Sequence, residues 1–133
     1  MKFLLDTNIC IYIIKQKPPE VLEKFNNYQV GDIGISSITV AELEFGVQKS
    51  QFLTKNHQAL AQFLLPLQIA DFDNAAAIVY GNIRAKLEKQ GTPIGSLDTL
   101  IAAHALSLKV TLITNNVKEF SRVPNLKLDN WAS

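Results

Sequence analysis

Acidic and amide side chains follow several of the short apolar runs in this sequence. At the end of such a run, or in the helix predicted to follow it, lie Asp6, Glu42, Glu44, Asp71, Asp73, Asn115 and Asn116, and Asp98 lies in the first turn of another predicted helix. If the runs are parallel strands, residues beyond their carboxyl ends meet at one edge of the sheet. Carboxylates brought together there repel one another unless a cation neutralises them or their pKa values rise. Oxygen ligands select Mg²⁺ or Mn²⁺, and a carboxylate-held Mg²⁺ can activate water for phosphodiester hydrolysis.

Each of these acids also has a purely structural explanation. Asp6 is a favoured residue type for the N-cap of the helix that follows it. Asp98 stands in the first turn of a predicted helix, where the helix dipole stabilises a negative charge. Glu42 shares a helical stripe with the apolar Phe45, and its carboxylate could reach water from the edge of that stripe. Glu44 lies ~160° from Glu42 on a helix of about 100° per residue, and periodicity alone leaves the choice between them open.

The sequence has few of the residues that other kinds of active site require. The chain has one cysteine and two histidines, too few for a structural zinc site or a disulfide framework. His57 lies in a predicted surface helix, whereas His104 and Cys10 lie in apolar segments and are expected in the core. No phosphate-binding glycine motif and no nucleophilic triad is evident. Phosphate chemistry on small molecules would need an Asp-x-Asp motif after the first strand, and the chain has none there.

The elements that must position the acids can be predicted from apolar runs, caps and breaks. The predicted strands cover residues 3–5, 33–36, 67–71, 110–114 and 127–129. The predicted helices cover residues 7–15, 19–28, 37–49, 54–64, 73–89, 96–108 and 117–120. The expected caps of three of these helices are Ser37, Asp73 and Ser96. Strands alternate with helices, which predicts an α/β fold with a parallel sheet of about four to five strands and helices on both faces.

Composition and charge indicate the number of domains and the kinds of partner that this chain can have. The 133 residues are 47% hydrophobic and carry a formal net charge of +1, which indicates a single domain over residues 1–133. That balance by itself indicates no polyanionic partner, so a nucleic-acid role would require locally clustered basic residues. No run approaches a membrane span or a signal-peptide core, and we expect a soluble cytoplasmic protein.

Four motifs occur together in this chain. They are Leu4–Asn8, Ser36–Gly46 with Glu42, Gly91–Ala105 with Asp98, and Thr114–Phe120 with Glu119. In this order and spacing, the chain resembles the PIN-domain ribonucleases over essentially its whole length, and most closely the VapC toxins of bacterial toxin–antitoxin pairs. The resemblance implies a PIN-like three-layer fold, and it selects Glu42 over Glu44 as the acid of the second motif.

The resemblance also implies a set of site residues and a cofactor. Asp6, Glu42 and Asp98 would hold Mg²⁺, for which Mn²⁺ could substitute, and would act in catalysis together with Asn116. The supporting residues would be Thr7, Asn8, Thr114 and Glu119. The family often has aspartate where this chain has Asn116, so we expect one tightly held ion and a second that arrives with RNA. Arg84, in the helix before the third motif, is the expected contact to substrate or antitoxin.

The implied activity is that of an endoribonuclease toxin that arrests translation. Its expected target is RNA, with initiator tRNA cut in the anticodon stem-loop, and a cognate VapB-type antitoxin would neutralise it by covering the groove. Operator DNA would be contacted only through the antitoxin, and no membrane partner is expected. We expect a homodimer with apolar contacts near Val40, Leu43 or Phe52. The alternative is a PIN-like module that binds RNA or an antitoxin without cutting, since Asn116 brings no negative charge.

Overall fold

A parallel sheet runs through the centre of the fold. The computed structural model describes residues 1–29 and 31–132. Within them the strands are β1 (Phe3–Leu5), β2 (Ile33–Ser36), β3 (Gln68–Ala70), β4 (Thr111–Ile113) and β5 (Leu128–Asp129). All neighbouring strands pair in parallel, in the order β3-β2-β1-β4-β5. The chain builds outward from β1 first on one side and then on the other, so a topological switch point lies beside β1.

Helices within the described residues cover both faces of this sheet. They are α1 (Thr7–Lys15), α2 (Pro19–Asn26), α3 (Ser37–Gln48), α4 (Leu53–Leu64), α5 (Asn74–Lys89), α6 (Ser96–Leu108) and α7 (Val117–Phe120). One core forms beneath α1 to α4, and a second core forms beneath α5 to α7. Leu5 packs in the first core and Leu4 in the second, because strand side chains alternate between the two faces. A strand buried on both faces requires the continuous apolar run that β1 has.

The predicted fold class is confirmed, but two expected helix caps are wrong. Ser36, rather than Ser37, caps α3, and its hydroxyl accepts an N–H of the first helical turn at 3.0 Å. The Ser37 hydroxyl instead accepts from the Phe72 N–H at 3.0 Å, in the segment that follows β3. Gly95, rather than Ser96, stands at the N-cap of α6, and it makes no side-chain cap.

The other boundaries lie close to their predicted positions. Asp73 caps α5 as expected, because its Oδ1 accepts from the Ala76 N–H at 3.0 Å. The second helix ends earlier than predicted, at Asn26. No helix in the described part of the chain is long and apolar enough to cross a membrane.

Candidate active site

The first acidic motif places Asp6 where β1 ends and α1 begins. Its N–H donates to the Ile113 carbonyl at the end of β4 (3.0 Å), and its Oδ1 accepts from the Ile9 N–H (2.9 Å). The side chain is 5% exposed. This burial raises the pKa of Asp6, and hydrogen bonds from Thr114 and from the first turn of α1 oppose the rise. The expected N-cap is therefore present, and it holds the carboxylate at the carboxyl edge of the sheet.

Glu42 reaches the same edge from α3. Its Oε1 accepts a hydrogen bond from the Thr7 hydroxyl at 3.2 Å, so the first turn of α1 positions this carboxylate. Glu44 is exposed to solvent, and of these two acids the structure brings Glu42 to the edge. The apolar stripe expected around Glu42 is not buried, since Phe45 is 65% exposed. Glu42 thus lies at the margin of a helix face, partly shielded from water.

Asp98 occupies the first turn of α6 among other carboxylates. Its pKa is raised to about 6, first by burial and then by the negative charges of Glu119, Asp6 and Glu42. A hydrogen bond with Glu119 also favours the protonated form of Asp98. An acid held mainly by the positive end of a helix dipole would have a lowered pKa. Burial, and then the neighbouring carboxylates, therefore set the direction of the Asp98 pKa shift.

Glu119 provides a carboxylate beside Asn116. Asn116 Nδ2 donates to Glu119 Oε2 at 2.6 Å, and the Gly95 N–H donates to Oε1 at 3.0 Å. These bonds, the one from Gly95 foremost, lower the pKa of Glu119, and the positive charge of Arg122 acts in the same direction. Asn116 is itself fixed because its N–H donates to Thr114 Oγ1 at 2.9 Å. The amide at this position acts as a donor that orients an acid one turn later.

Together these elements form a cleft of about 440 Å³ at the carboxyl edge of the sheet. Its lining comes from the end of β1, the start of α1, α3 and the start of α6: Asp6, Thr7, Asn8, Glu42, Gly95, Ser96, Leu97 and Asp98. No three His, Cys, Asp or Glu side chains within residues 1–29 and 31–132 are already gathered closely enough to coordinate an ion. The donors still fit a hard divalent cation, because they are carboxylate oxygens whose mutual repulsion an ion would relieve.

Arg84, the expected contact to substrate or antitoxin, is exposed and contacts neighbouring side chains of its own helix. Its Nε pairs with Glu88 at 3.0 Å, and its Nη1 donates to the Tyr80 hydroxyl at 2.8 Å, all on α5. Arg122 is absent from the predicted set, yet its Nη1 donates to the Pro93 carbonyl at 3.1 Å, two residues from the cleft lining. In the sequence, Arg122 could have been found from its position three residues after Glu119, the acid of the fourth motif, which is a helical spacing.

The predictions for the histidines and the cysteine are confirmed. His104 is 1% exposed, and its Nδ1 lies 2.8 Å from Ser36 Oγ. Cys10 is fully buried in the core beneath α1, whereas His57 is exposed on α4. None of these three side chains lines the cleft, which is left with carboxylates, hydroxyls and amides as its polar groups.

Comparisons with known proteins agree with this geometry. The PIN-domain family matches residues 3–126 of the chain. The tRNA(fMet)-specific endonuclease VapC of Shigella flexneri is 46% identical over 132 residues, which cover 99% of both proteins. Ribonuclease VapC2 of Haemophilus influenzae is 47% identical over 132 residues with the same coverage. The chain belongs to the VapC ribonucleases of the PIN-domain family.

Solved structures support the same membership for this PIN domain. A chain in the DNA-bound VapBC of Salmonella typhimurium is 43% identical, with a TM-score of 0.93 over 98% of both chains. A chain in VapBC2 of Rickettsia felis, bound to a promoter DNA fragment, is 44% identical with a TM-score of 0.90. That match covers 98% of this PIN domain and 99% of the other chain. The expected PIN-like fold and the assignment as a ribonuclease are thereby confirmed.

Proposed function

We propose that this ribonuclease is an endoribonuclease toxin in which Asp6, Glu42 and Asp98 hold Mg²⁺ and Glu119 completes the site. The observation that carries the site assignment is the convergence of three acids on one cleft, where Asp98 has its pKa raised to about 6. Such crowding is unfavourable without a cation, and oxygen ligands select Mg²⁺, with Mn²⁺ as a substitute.

The protein's own groups prepare the cleft for hydrolysis. A bound Mg²⁺ would acidify water and stabilise negative charge on the attacked phosphate. The Thr7 hydroxyl holds Glu42, while the Gly95 N–H and the Asn116 side chain hold Glu119. These carboxylates are therefore positioned before substrate arrives, which lowers the cost of organising the site. Asn116 orients Glu119 but carries no negative charge. The missing charge favours one tightly held ion and a second that arrives with RNA.

The substrate we propose is initiator tRNA, cut in its anticodon stem-loop. Support comes from the Shigella flexneri relative, which is named as specific for tRNA(fMet) and aligns over 99% of this chain. The cleft suits a polymer because the exposed residues Asn8 and Ser96 line it, so that a strand could enter from the side. Cutting this RNA would arrest translation.

The partner we propose is a VapB-type antitoxin, as in the VapBC complexes whose chains resemble this one. A second groove of about 290 Å³, largely apolar, lies between α1, α3 and α4. Glu42 lines both this groove and the acidic cleft, so the two are neighbours. An antitoxin segment with apolar residues followed by Arg or Lys would fill both, and operator DNA would be contacted only through the antitoxin.

We also propose a homodimer, although its expected contact set changes. Leu43 is buried in the core beneath α3 and cannot serve as a contact. Phe45 and Phe52 are 65% and 66% exposed, and they offer apolar surface near the end of α3. An exposed pair of phenylalanines suits the core of an interface better than solvent.

Paired variants of two neighbouring glutamates test the site. Glu42→Gln should lower cleavage of a stem-loop RNA in Mg²⁺ by about 10²-fold, because it removes a ligand charge without changing side-chain shape. Glu44→Gln, which makes the same change at an exposed position, should cleave like the wild type. Calorimetric titration should show weaker Mg²⁺ binding in the first variant alone. Similar rates for both variants would contradict the assignment, and RNA binding without any cleavage by the wild type would favour the non-cutting module.

A further inference from the structure

The acidic cleft creates an electrostatic difficulty for an RNA substrate. Asp6, Glu42, Asp98 and Glu119 place four carboxylates on the surface that the scissile phosphate must approach. An ion in the cleft would offset the repulsion of one phosphate, but the carboxylates would still repel the neighbouring phosphates of the strand. Cations that contact the phosphate backbone supply the sequence-independent part of the affinity for nucleic acids and a large share of the whole. Cations at the rim of the cleft are therefore the groups to look for.

Arg122 lies at that rim. Its N–H donates to the Glu119 carbonyl at 3.2 Å, which continues the turn of α7, and its Nη1 donates to the Pro93 carbonyl at 3.1 Å. Pro93 is two residues from Gly95, whose N–H holds the Glu119 carboxylate and which itself lines the cleft. The loop before α6 thus fixes the guanidinium on the α7 side of the acids.

The remaining donors of Arg122 are available to a ligand. A guanidinium has five N–H donors in a planar fork that matches two phosphate oxygens. Arg122 is exposed and, within the described residues, has no carboxylate oxygen at salt-bridge distance, although its charge lowers the pKa of Glu119. Arg84 differs, because its charge is paired with Glu88 at 3.0 Å and two of its five donors go to Glu88 and the Tyr80 hydroxyl. Of the two arginines near the loop at Pro93, Arg122 is the one whose guanidinium has no carboxylate oxygen at salt-bridge distance within the described residues.

We propose that Arg122 binds a backbone phosphate of the RNA strand next to the scissile one, on the α7 side of the cleft. This inference rests on the proposed ribonuclease function and adds a substrate contact to it. The contact depends on the phosphate charge and not on the base sequence, so it should strengthen binding to every RNA that enters the cleft. It should also leave the chemical step nearly unchanged, because Arg122 does not line the cleft and the Gly95 N–H and the Asn116 side chain still hold Glu119 without it.

Cleavage kinetics over a range of KCl concentrations test the contact. With a stem-loop RNA in Mg²⁺, Arg122→Gln should raise KM about tenfold at 0.1 M salt and leave kcat within about twofold. The slope of log KM against log salt should fall by about one, which corresponds to one lost phosphate contact. Arg122→Lys keeps the charge and should retain most of the wild-type slope. Lys24→Gln, which removes one exposed charge from α2, is the control and should match the wild type.

Several results would overturn the proposal. If Arg122→Gln keeps the wild-type slope, or lowers kcat at constant KM, the side chain only supports the loop at Pro93. The same conclusion holds if Arg122→Lys loses the slope as fully as Arg122→Gln does. A smaller slope in Arg84→Gln but not in Arg122→Gln would transfer the contact to Arg84. Failure of the proposed function is distinguishable from all of these, because the wild-type protein would then not cleave the RNA at all.

Discussion

The raised pKa of Asp98 makes the stability of the metal-free protein depend on pH. The pKa is about 6 in the folded protein against an ordinary value of 3.8, so the folded state holds this proton more tightly than the unfolded state. Stability should therefore fall as pH rises from 3.8 to about 6 and level off above that range. Glu119 has the opposite sign, because its lowered pKa adds stability above 4.5 that is lost as pH falls.

Asp98→Asn should raise the melting temperature of the metal-free protein at pH 7.5. Asparagine keeps the shape of the side chain and a donor toward Glu119, but it removes one charge from the crowded cleft. The expected gain in the free energy of unfolding is on the order of 1–2 kcal/mol after allowance for solvent screening. Thermal melts in EDTA measure it, and the difference should vanish near pH 4, where Asp98 is protonated.

Two comparisons make the Asp98 experiment decisive. Glu44→Gln makes a matched charge change on an exposed side chain and should leave the metal-free melting temperature unchanged. Added Mg²⁺ should stabilise the wild type by mass action and stabilise Asp98→Asn much less. If Asp98→Asn instead loses several degrees without metal and still cleaves RNA, Asp98 is a structural residue of the first turn of α6.

At the scale of the elements, a buried polar pair joins the two helices that carry Glu42 and Asp98. His104 on α6 has Nδ1 2.8 Å from the hydroxyl of Ser36, which also caps α3 by accepting from the Ile38 N–H at 3.0 Å. Burial lowers the pKa of His104 and so favours the neutral ring; in the tautomer whose proton is on Nε2, Nδ1 accepts the Ser36 hydroxyl proton. The start of α3 is thereby tied to the middle of α6, beneath the cleft.

Ser36→Ala should destabilise the protein by about 2–4 kcal/mol. The change removes the cap of α3, at about 1 kcal/mol, and leaves His104 Nδ1 buried without a donor, at about 1–3 kcal/mol. Urea unfolding measures the loss. Ser50→Ala is the control, because its hydroxyl makes only a local bond to the Val47 carbonyl at 2.7 Å, and it should stay within about 0.5 kcal/mol of wild type. Equal effects would mean that the pair does not join the helices.

The order and type of the elements could be predicted because each buried strand is an apolar run bounded by polar residues. The bounds of β1, β2, α1, α6 and α7 are those expected. The cap of α3 could not be predicted, because Ser36 and Ser37 are adjacent hydroxyls of similar propensity. Their roles are decided by His104 and by the N–H of Phe72, which lie 68 and 35 residues away along the chain.

The site shows the same division between local and distant contacts. Asp6 could be predicted because it directly follows a buried strand, and the four motifs single out the other acids. The support of Glu119 by Gly95 joins residues 24 apart, and the contact of Arg122 with Pro93 joins residues 29 apart. No periodicity within either segment encodes such contacts, so they emerge only when α7 packs beside the loop before α6.

At the scale of the whole molecule, the acidic cleft and the apolar groove are neighbours that share Glu42 in their linings. The groove floor includes Gly46 on α3, where an added Cβ would meet no atom within 4 Å. Gly81 on α5 has the same open surroundings but lies outside the groove. Gly46 therefore offers a position from which a side chain can fill the groove, and Gly81 offers a matched position outside it.

Gly46→Leu should weaken binding of the proposed antitoxin at least about tenfold, because the new side chain takes up space that an apolar antitoxin segment would need. Its RNA cleavage without antitoxin should match the wild type, since the acids are untouched. Gly81→Leu should bind antitoxin normally, and both variants should gain about 0.5–1 kcal/mol of stability from replacing a mid-helix glycine. Calorimetric titration with purified antitoxin, together with cleavage assays over increasing antitoxin, measures both effects. Equal antitoxin affinity in the two variants would show that inhibition occurs at the acidic cleft alone, with the apolar groove left open.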